Sequence, residues 1–574
     1  MSRSNSISRR DFIRLSAMGI GAAAISTGLA GCGGDSQIGV KVKYSHGVAS
    51  GDPLQDKVII WTRVTPELEL KIDVQVHWEV SEDAAFTSLI HQGHMITSPE
   101  RDYTVKVDIQ NLLPGRTYFY RFIANEVVSP VGQMKTLPSG SVDKVKLAVF
   151  SCANYPAGFF NVYGEAAKRN DIDAVLHLGD YLYEYAMGGY ATENAIQIGR
   201  AIPQDNDTEL VSLSDYRKRY ALYRSDEQLQ GLHAKVPFIC VWDDHEVAND
   251  AWRNGAENHQ PEEGSFDERK MQALQAYFEW LPIRPANPDD NETIYRYFEF
   301  GDLASLYMLD TRLIGRDLQL DFASYTDPVS GSFNSAQFIA DVADANRTLL
   351  GADQLLWLQQ TMMVSPAKWQ VLGQQVLMGR MNIPAELLRS PSKMGELVAI
   401  KLRMDAGDPT LTEEEQARVL SAVPYNLDAW DGYAYEREVI FGLVKQLDKD
   451  LIVLAGDTHN AWANNLTDRV GDAVGVELAA PSVTSPGLES YLNLGDDPVA
   501  LGQAEFGFTT LINDLQYMNI SQRGYLTVTL TPEKAEGEWI FVNNILSPTY
   551  SVDELKGKRM HVLPGSDHRT LVDS

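Results

Sequence analysis

Four apolar runs in this chain end in side chains of the kind that bind metals. Ala174–Leu178 leads into Gly179-Asp180, with Tyr181, Tyr183 and Tyr185 just beyond. Phe238–Trp242 leads into Asp243-Asp244-His245-Glu246, and Leu451–Ala455 leads into Gly456-Asp457-Thr458-His459. Val145–Ser151 stops at Cys152, with Asn154 two residues on. Short apolar runs of this length read as buried strands, and open α/β sheets place their ligands at the carboxyl ends of strands. Gly179 permits a sharp turn and a close backbone approach ahead of Asp180. One carboxylate at a strand end is usually a helix cap or a turn. Four such endings in one chain predict a metal site between strand ends.

The remaining pattern supplies a scaffold. Strand patterns at Val145–Ser151, Ala174–Asp180, Phe238–Asp243, Ser305–Asp310, Trp369–Val376 and Leu451–Gly456 alternate with helix patterns. The latter fall at Phe160–Arg169, Leu213–Tyr223, Asp267–Trp280, Asp353–Met362, Thr412–Ser421 and Tyr435–Leu447. This alternation predicts an α/β fold with helices over a sheet, and Thr412 with Glu415 has the spacing of a capping box. Residues 40–137 are β-rich, with short β-branched runs at 58–64, 74–80 and 104–109. Leu112–Tyr120 resembles the turn and strand of a fibronectin type III-like sandwich, with a tyrosine anchoring a corner. A linker reaches residue 144, and 145–548 forms the larger domain. Tyr525–Leu530 and Trp539–Val542 read as a late hairpin. The polar segments Phe322–Asn346 and Ile383–Asp428 read as excursions over the surface, and 549–574 as a tail that closes against it or frays.

Residues 1–31 read as an address. Ser8–Arg14 resembles a twin-arginine export signal, and the Gly/Ala-rich stretch from Leu15 to Leu29 is shorter than the roughly 20 apolar residues of a spanning helix. Leu29-Ala30-Gly31-Cys32 looks like a bacterial lipobox, with Cys32 lipidated and 32–39 as a tether; an ordinary signal with an incidental cysteine is the alternative. The expected location is the periplasm or cell surface. The chain reaches it through the twin-arginine machinery and touches the membrane only through its lipid. A net charge of -29 repels nucleic acid and anionic membranes, so bound cations must attract any phosphate locally. Three cysteines are too few for a disulfide framework. A monomer is expected.

Hydrolysing a phosphate ester needs a strong nucleophile and neutralised phosphoryl oxygens, and clustered metal ions supply both. Asp180 is the best bridging carboxylate, since it follows the Gly-Asp turn. Asp457 and His459 lie two apart on an extended segment, so both can face one side. Asp244 and His245 are adjacent and cannot both aim alike. Asp244 is therefore assigned to metal, and His245 to proton donation or phosphate orientation.

Together, Phe150–Asn154, Leu178–Glu184, Trp242–Asp250 and Ala455–Asn460 look like the signature motifs of PhoD-type alkaline phosphatases, within the calcineurin-like metallophosphatases. The likeness extends to His46–Pro53, Val58–Val64 and Val483–Gly487. The resemblance implies a four-layer α/β core, two β-sheets between helices, behind a small fibronectin type III-like sandwich. It implies one Fe3+ and two Ca2+, with Cys152 and Tyr183 as iron ligands and Asp180 bridging. Asn249, Asp457 and His459 would complete the shell. Asp244 stands where the wider superfamily uses Asn, and Gln375 where other members use a metal-binding histidine. The implied function is a secreted phosphatase or phosphodiesterase that hydrolyses phosphate esters by attack of a metal-bound hydroxide, for phosphate acquisition. A phospholipase D-like phosphodiesterase on the same fold is the alternative.

Plainer roles compete at several positions. Most free cysteines are core residues, which is the role expected of Cys240, inside its strand, and the alternative for Cys152. Spacing alone does not separate Tyr183 from Tyr181 and Tyr185. His177, in mid-strand, reads as a core histidine. Arg312 either contacts phosphate or pairs with Asp310. A cell-surface protein using calcium structurally is the competing class, but such sites rarely need a thiolate and a phenolate.

Overall fold

The structure, a computed structural model, describes residues 40–67, 71–285 and 291–574. The export signal, Cys32 and the tether lie outside the described residues. Two mixed sheets stack face to face. The larger runs, in spatial order, Val572–Asp573, Lys558–Val562, Ala535–Val542, Arg523–Leu530, Val145–Phe150, Ala174–His177, Phe238–Cys240, Val48–Gly51, Val58–Arg63 and Thr104–Ile109. The smaller runs Arg296–Phe300, Ala304–Met308, Trp369–Gly373, Asp450–Ala455, Ala473–Ala479, Ala461–Thr467 and Leu515–Asn519. The central strands of each are parallel, as the α/β alternation predicts.

The layers follow from period-2 patterning. Leu306, Val371, Ile452 and Leu454 of the smaller sheet share one buried cluster with Leu147, Val149, Leu176 and Ile239 of the larger. The intervening Tyr307, Leu372, Leu451 and Val453 face the other way, onto Leu358 and Met362 of helix Ala352–Val364 and Ile440 and Phe441 of helix Ala434–Gln446. Helices Leu213–Arg224, Glu227–Lys235 and Phe266–Trp280 bring residues into the first cluster. Both faces of these strands are therefore buried, which explains their near-continuous apolar runs. Each such leucine, valine or isoleucine contributes about 1.5–3 kcal/mol. The order helix, sheet, sheet, helix is the one the resemblance implies.

The β-rich front region does form a sandwich, but it shares a sheet with the core. Gly51 pairs in parallel with Phe238, and the strands Val58–Arg63 and Thr104–Ile109 continue the larger sheet. The second layer runs Gly132–Lys135, Thr117–Ala124, Val74–Ser81 and Leu89–Thr97. Val58 and Ile60 face it across a separate cluster, while Trp61 turns into the main core and donates Nε1–H to Glu279 O at 2.8 Å. The expected corner is present: Leu113 N–H donates to the Tyr118 hydroxyl at 3.0 Å.

Thr412 and Glu415 form the expected capping box on helix Glu413–Leu420. The segment Ile383–Asp428, expected as a polar excursion, is more ordered than that: it also carries helix Met394–Asp405, whose Leu397, Val398 and Ile400 are buried. The tail neither dangles nor frays. Lys558–Val562 and Val572–Asp573 add two strands to the edge of the larger sheet, with Met560 and Leu571 buried.

Candidate metal centre

Two of the four strands stop earlier than their apolar runs. The ladders end at His177 and Cys240, and the next residues leave the sheet toward each other. Gly179, at φ 108°, is required there, because a Cβ on it would lie 2.3 Å from Asp243 Cβ. Cys152, Asp180, Asp457 and His459 themselves hold φ between 52° and 62°, the left-handed region that non-glycine residues rarely adopt. Such strain clusters where surrounding structure enforces a functional geometry. Glu246 is part of that enforcement. Fully buried, it accepts the backbone N–H groups of Asp180 (3.1 Å), Asp243 (2.7 Å) and Tyr181 (2.5 Å), tying the two loops together.

Three groups of donor atoms result, each within 4.8 Å: Cys152, Asp180 and His459; Asp180, Asp244 and His245; and Asp243, Asp244 and Asp457. Asp180 and Asp244 each belong to two of them. Tyr183 joins the first group. Its hydroxyl donates to Asp180 Oδ2 at 3.1 Å, lies 3.2 Å from His459 Nε2 and accepts from Ser485 Oγ at 2.7 Å. Tyr181 turns away to His233 Nε2, 2.9 Å from its hydroxyl, so position rather than spacing separates the tyrosines. His459 Nδ1–H donates to Pro486 O at 2.7 Å, which leaves the Nε2 lone pair aimed at the cluster. His245 Nδ1 meets Glu184 Oε2 at 2.7 Å. Glu184 is held in turn by Asn249 N–H and Asn258 Nδ2–H, each at 2.8 Å.

Other sequence-derived assignments fall elsewhere. Arg312 neither reaches outward nor pairs its guanidinium with Asp310, whose Oδ1 accepts the backbone N–H groups of Arg312 and Leu313. The wholly buried guanidinium binds Asp243, Asp428 (2.8 Å) and Asp457 (3.1 Å). Asn249 donates Nδ2–H to Glu257 Oε2 at 3.2 Å and its backbone N–H to Glu184 Oε1 at 2.8 Å. Gln375 donates to Trp242 O and Leu309 O and accepts from Thr311, so it braces strand ends. His177 Nε2 lies 2.7 Å from the Tyr163 hydroxyl in the core, and Cys240 is buried among apolar side chains. Asp243, Glu184, Glu246 and Ser485 were missed as site residues. The first three sit in the motifs already singled out, and Ser485 lies in the late Val-Thr-Ser-Pro-Gly motif.

The donor set fits cations. Asp180 Oδ1, Asp243 Oδ2 and Asp244 Oδ1 are buried without a hydrogen-bond partner, a costly arrangement that Arg312, shared among several carboxylates, offsets only in part. Burial, reinforced by neighbouring carboxylates, pushes the Cys152 thiol and the Tyr183 phenol well above their usual ranges. Burial likewise raises Asp180 well above the carboxylate range and Asp457 to about 7. Only bound cations make these groups anions together. Burial opposes charge on His245, but Asp244, Glu184 and Asp180 outweigh it and hold the imidazole protonated well above its usual range.

Two stacked sheets between helices thus gather thiol, phenol, imidazole and carboxylate donors at their strand ends, a donor set suited to metal ions. Residues 147–539 match the PhoD-like phosphatase family and residues 32–138 the PhoD-like phosphatase N-terminal domain, so this chain belongs to the PhoD-like phosphatases. It is 33% identical to alkaline phosphatase D of Bacillus subtilis (strain 168), over 88% of this chain and 78% of that protein. A solved structure of PhoD superposes with a TM-score of 0.73 at 30% identity, covering 92% of each chain.

Proposed function

We propose that this enzyme is an exported, lipid-anchored alkaline phosphatase and phosphodiesterase that releases phosphate for acquisition, with one Fe3+ and two Ca2+. The observation that carries the reading is the meeting of Cys152, Asp180, Tyr183 and His459 from three distant stretches of chain. A thiolate and a phenolate are strong anionic donors that suit a trivalent ion better than zinc. The carboxylates Asp180, Asp243, Asp244 and Asp457 offer the oxygen donors that calcium takes. Such ions, when bound, neutralise phosphoryl oxygens and acidify water.

The chain's own residues complete the machinery. His245, oriented through Nδ1 by Glu184, keeps Nε2–H for the leaving oxygen of the ester. Ser485 orients the Tyr183 hydroxyl, and the Pro486 carbonyl fixes the His459 tautomer. Arg312 holds Asp243 and Asp457 in register from within the protein.

Metal analysis of natively exported protein, with rates on a monoester and a diester, tests this. Coloured protein with about one iron per chain and activity on phosphate esters is expected. Colourless, iron-free protein of full activity would reject the iron assignment. Cys32→Ser should release active enzyme from membranes, and wild-type protein already soluble in the periplasm would reject the anchor.

A further inference from the structure

Aromatic rings close a circuit beside the centre. The Tyr183 ring lies 4.3 Å from that of His245 and stacks 5.8 Å from Tyr190. Tyr190 lies 5.7 Å from Tyr185, and Tyr185 returns to His245 at 5.3 Å. Tyr183 is wholly buried, whereas Tyr185 and Tyr190 are half-buried. Tyr190 is carried on a loop behind Gly188, at φ 93°, and its hydroxyl lies 3.2 Å from His459 Nδ1. Tyr491, 64% exposed, stands beyond it.

The Tyr185 ring flanks His245 and Tyr190 flanks Tyr185, so an ester whose leaving oxygen comes within hydrogen-bond reach of His245 brings its alcohol near this pair of rings. We infer that Tyr185 and Tyr190 are the subsite for the alcohol portion, and that the preferred esters carry a flat, aromatic, otherwise uncharged alcohol. This rests on the phosphohydrolase reading and names its substrate class. Aromatic rings recognise flat apolar groups by offset or edge-on stacking. Among the described residues, the charges that act on these rings and on the centre disfavour a second anionic group. Glu184, Asp244 and Glu257 all act on Tyr185, while Arg312 and Arg523, whose charges reach the centre, are already held by carboxylates.

The test measures kcat/KM of the full-length metal-loaded enzyme for 2-naphthyl, phenyl, 4-carboxyphenyl and methyl phosphate. Naphthol and phenol leave with similar ease, so their ratio reads stacking rather than leaving-group chemistry. Wild type should favour naphthyl over phenyl by about 2- to 10-fold, the worth of one aromatic contact, and should discriminate against the carboxylated ester. Tyr185→Leu and Tyr190→Leu should each erase the naphthyl preference through KM. Inhibition by inorganic phosphate, which lacks the alcohol, should not change. Tyr190→Phe should keep the preference, which separates the ring from its contact with His459. Should Tyr190→Leu be inactive on every ester, Tyr185→Leu decides. Naphthyl-to-phenyl ratios unchanged in the active leucine variants would overturn the subsite. Wild-type enzyme inert toward every ester would overturn the phosphohydrolase reading instead.

Discussion

On one side of the centre, around Cys152, Tyr183 and His459, the charges acting on the thiol and phenol come from carboxylates and phenols. On the other, around Asp243, Asp244 and Asp457, the Arg312 guanidinium is already in place. Against the cost of burial, Arg312 and His245 hold Asp244 down at about 2, so it is an anion before any ion arrives. Cys152 and Tyr183 become anions only with their cation. Any ion bound on the first side is therefore taken up together with the ionisation of its ligands. The second already holds an arginine, although burial still raises Asp243 and Asp457.

Substitutions on each side should separate these behaviours. The largest effect is expected from Tyr183→Phe or Cys152→Ser, which remove a strong donor while preserving shape. Iron and visible absorption should be lost together, and turnover should fall further than for any other variant here; retention of colour, iron and rate by Tyr183→Phe would make Tyr181 the next residue to test. Next comes His245→Ala, with a drop of about 10²–10⁴-fold in kcat at unchanged metal content by elemental analysis. A parallel loss of metal would make His245 a ligand. Arg312→Gln should weaken calcium retention by about 10–100-fold, as positioning partners of ligands typically do, while the visible band stays. A vanished band would show that the two sides are not separable. Gln375→Ala is the mildest. It leaves buried carbonyls unpaired at a cost of about 1–3 kcal/mol, read by chemical denaturation, with metal content unaltered; metal loss without destabilisation would contradict its bracing role.

The strand-end clusters were legible because apolar run, glycine and carboxylate are adjacent in sequence. The same locality made the Thr412 cap and the Tyr118 corner readable. What was not legible depends on contacts between distant segments. Arg312 has the sequence neighbour Asp310, yet its guanidinium goes to Asp243, Asp428 and Asp457, which only the fold brings near. The tail reads as polar, yet edge strands need only alternate residues buried, and Met560, Val562 and Leu571 suffice.

The strand that delivers Cys152 has a history written into its neighbours. Val149 pairs with Leu176 on one side and with Leu526 on the other, and Gly51 waits beside Phe238. Pairings this remote in sequence fold slowly, because the intervening chain must be closed first. During synthesis the Cys152 strand stays open along one edge until residues 523–530 leave the ribosome. The ion pocket is therefore completed late, after nearly the whole polypeptide exists, and a nascent or truncated chain exposes an unpaired parallel strand that invites aggregation.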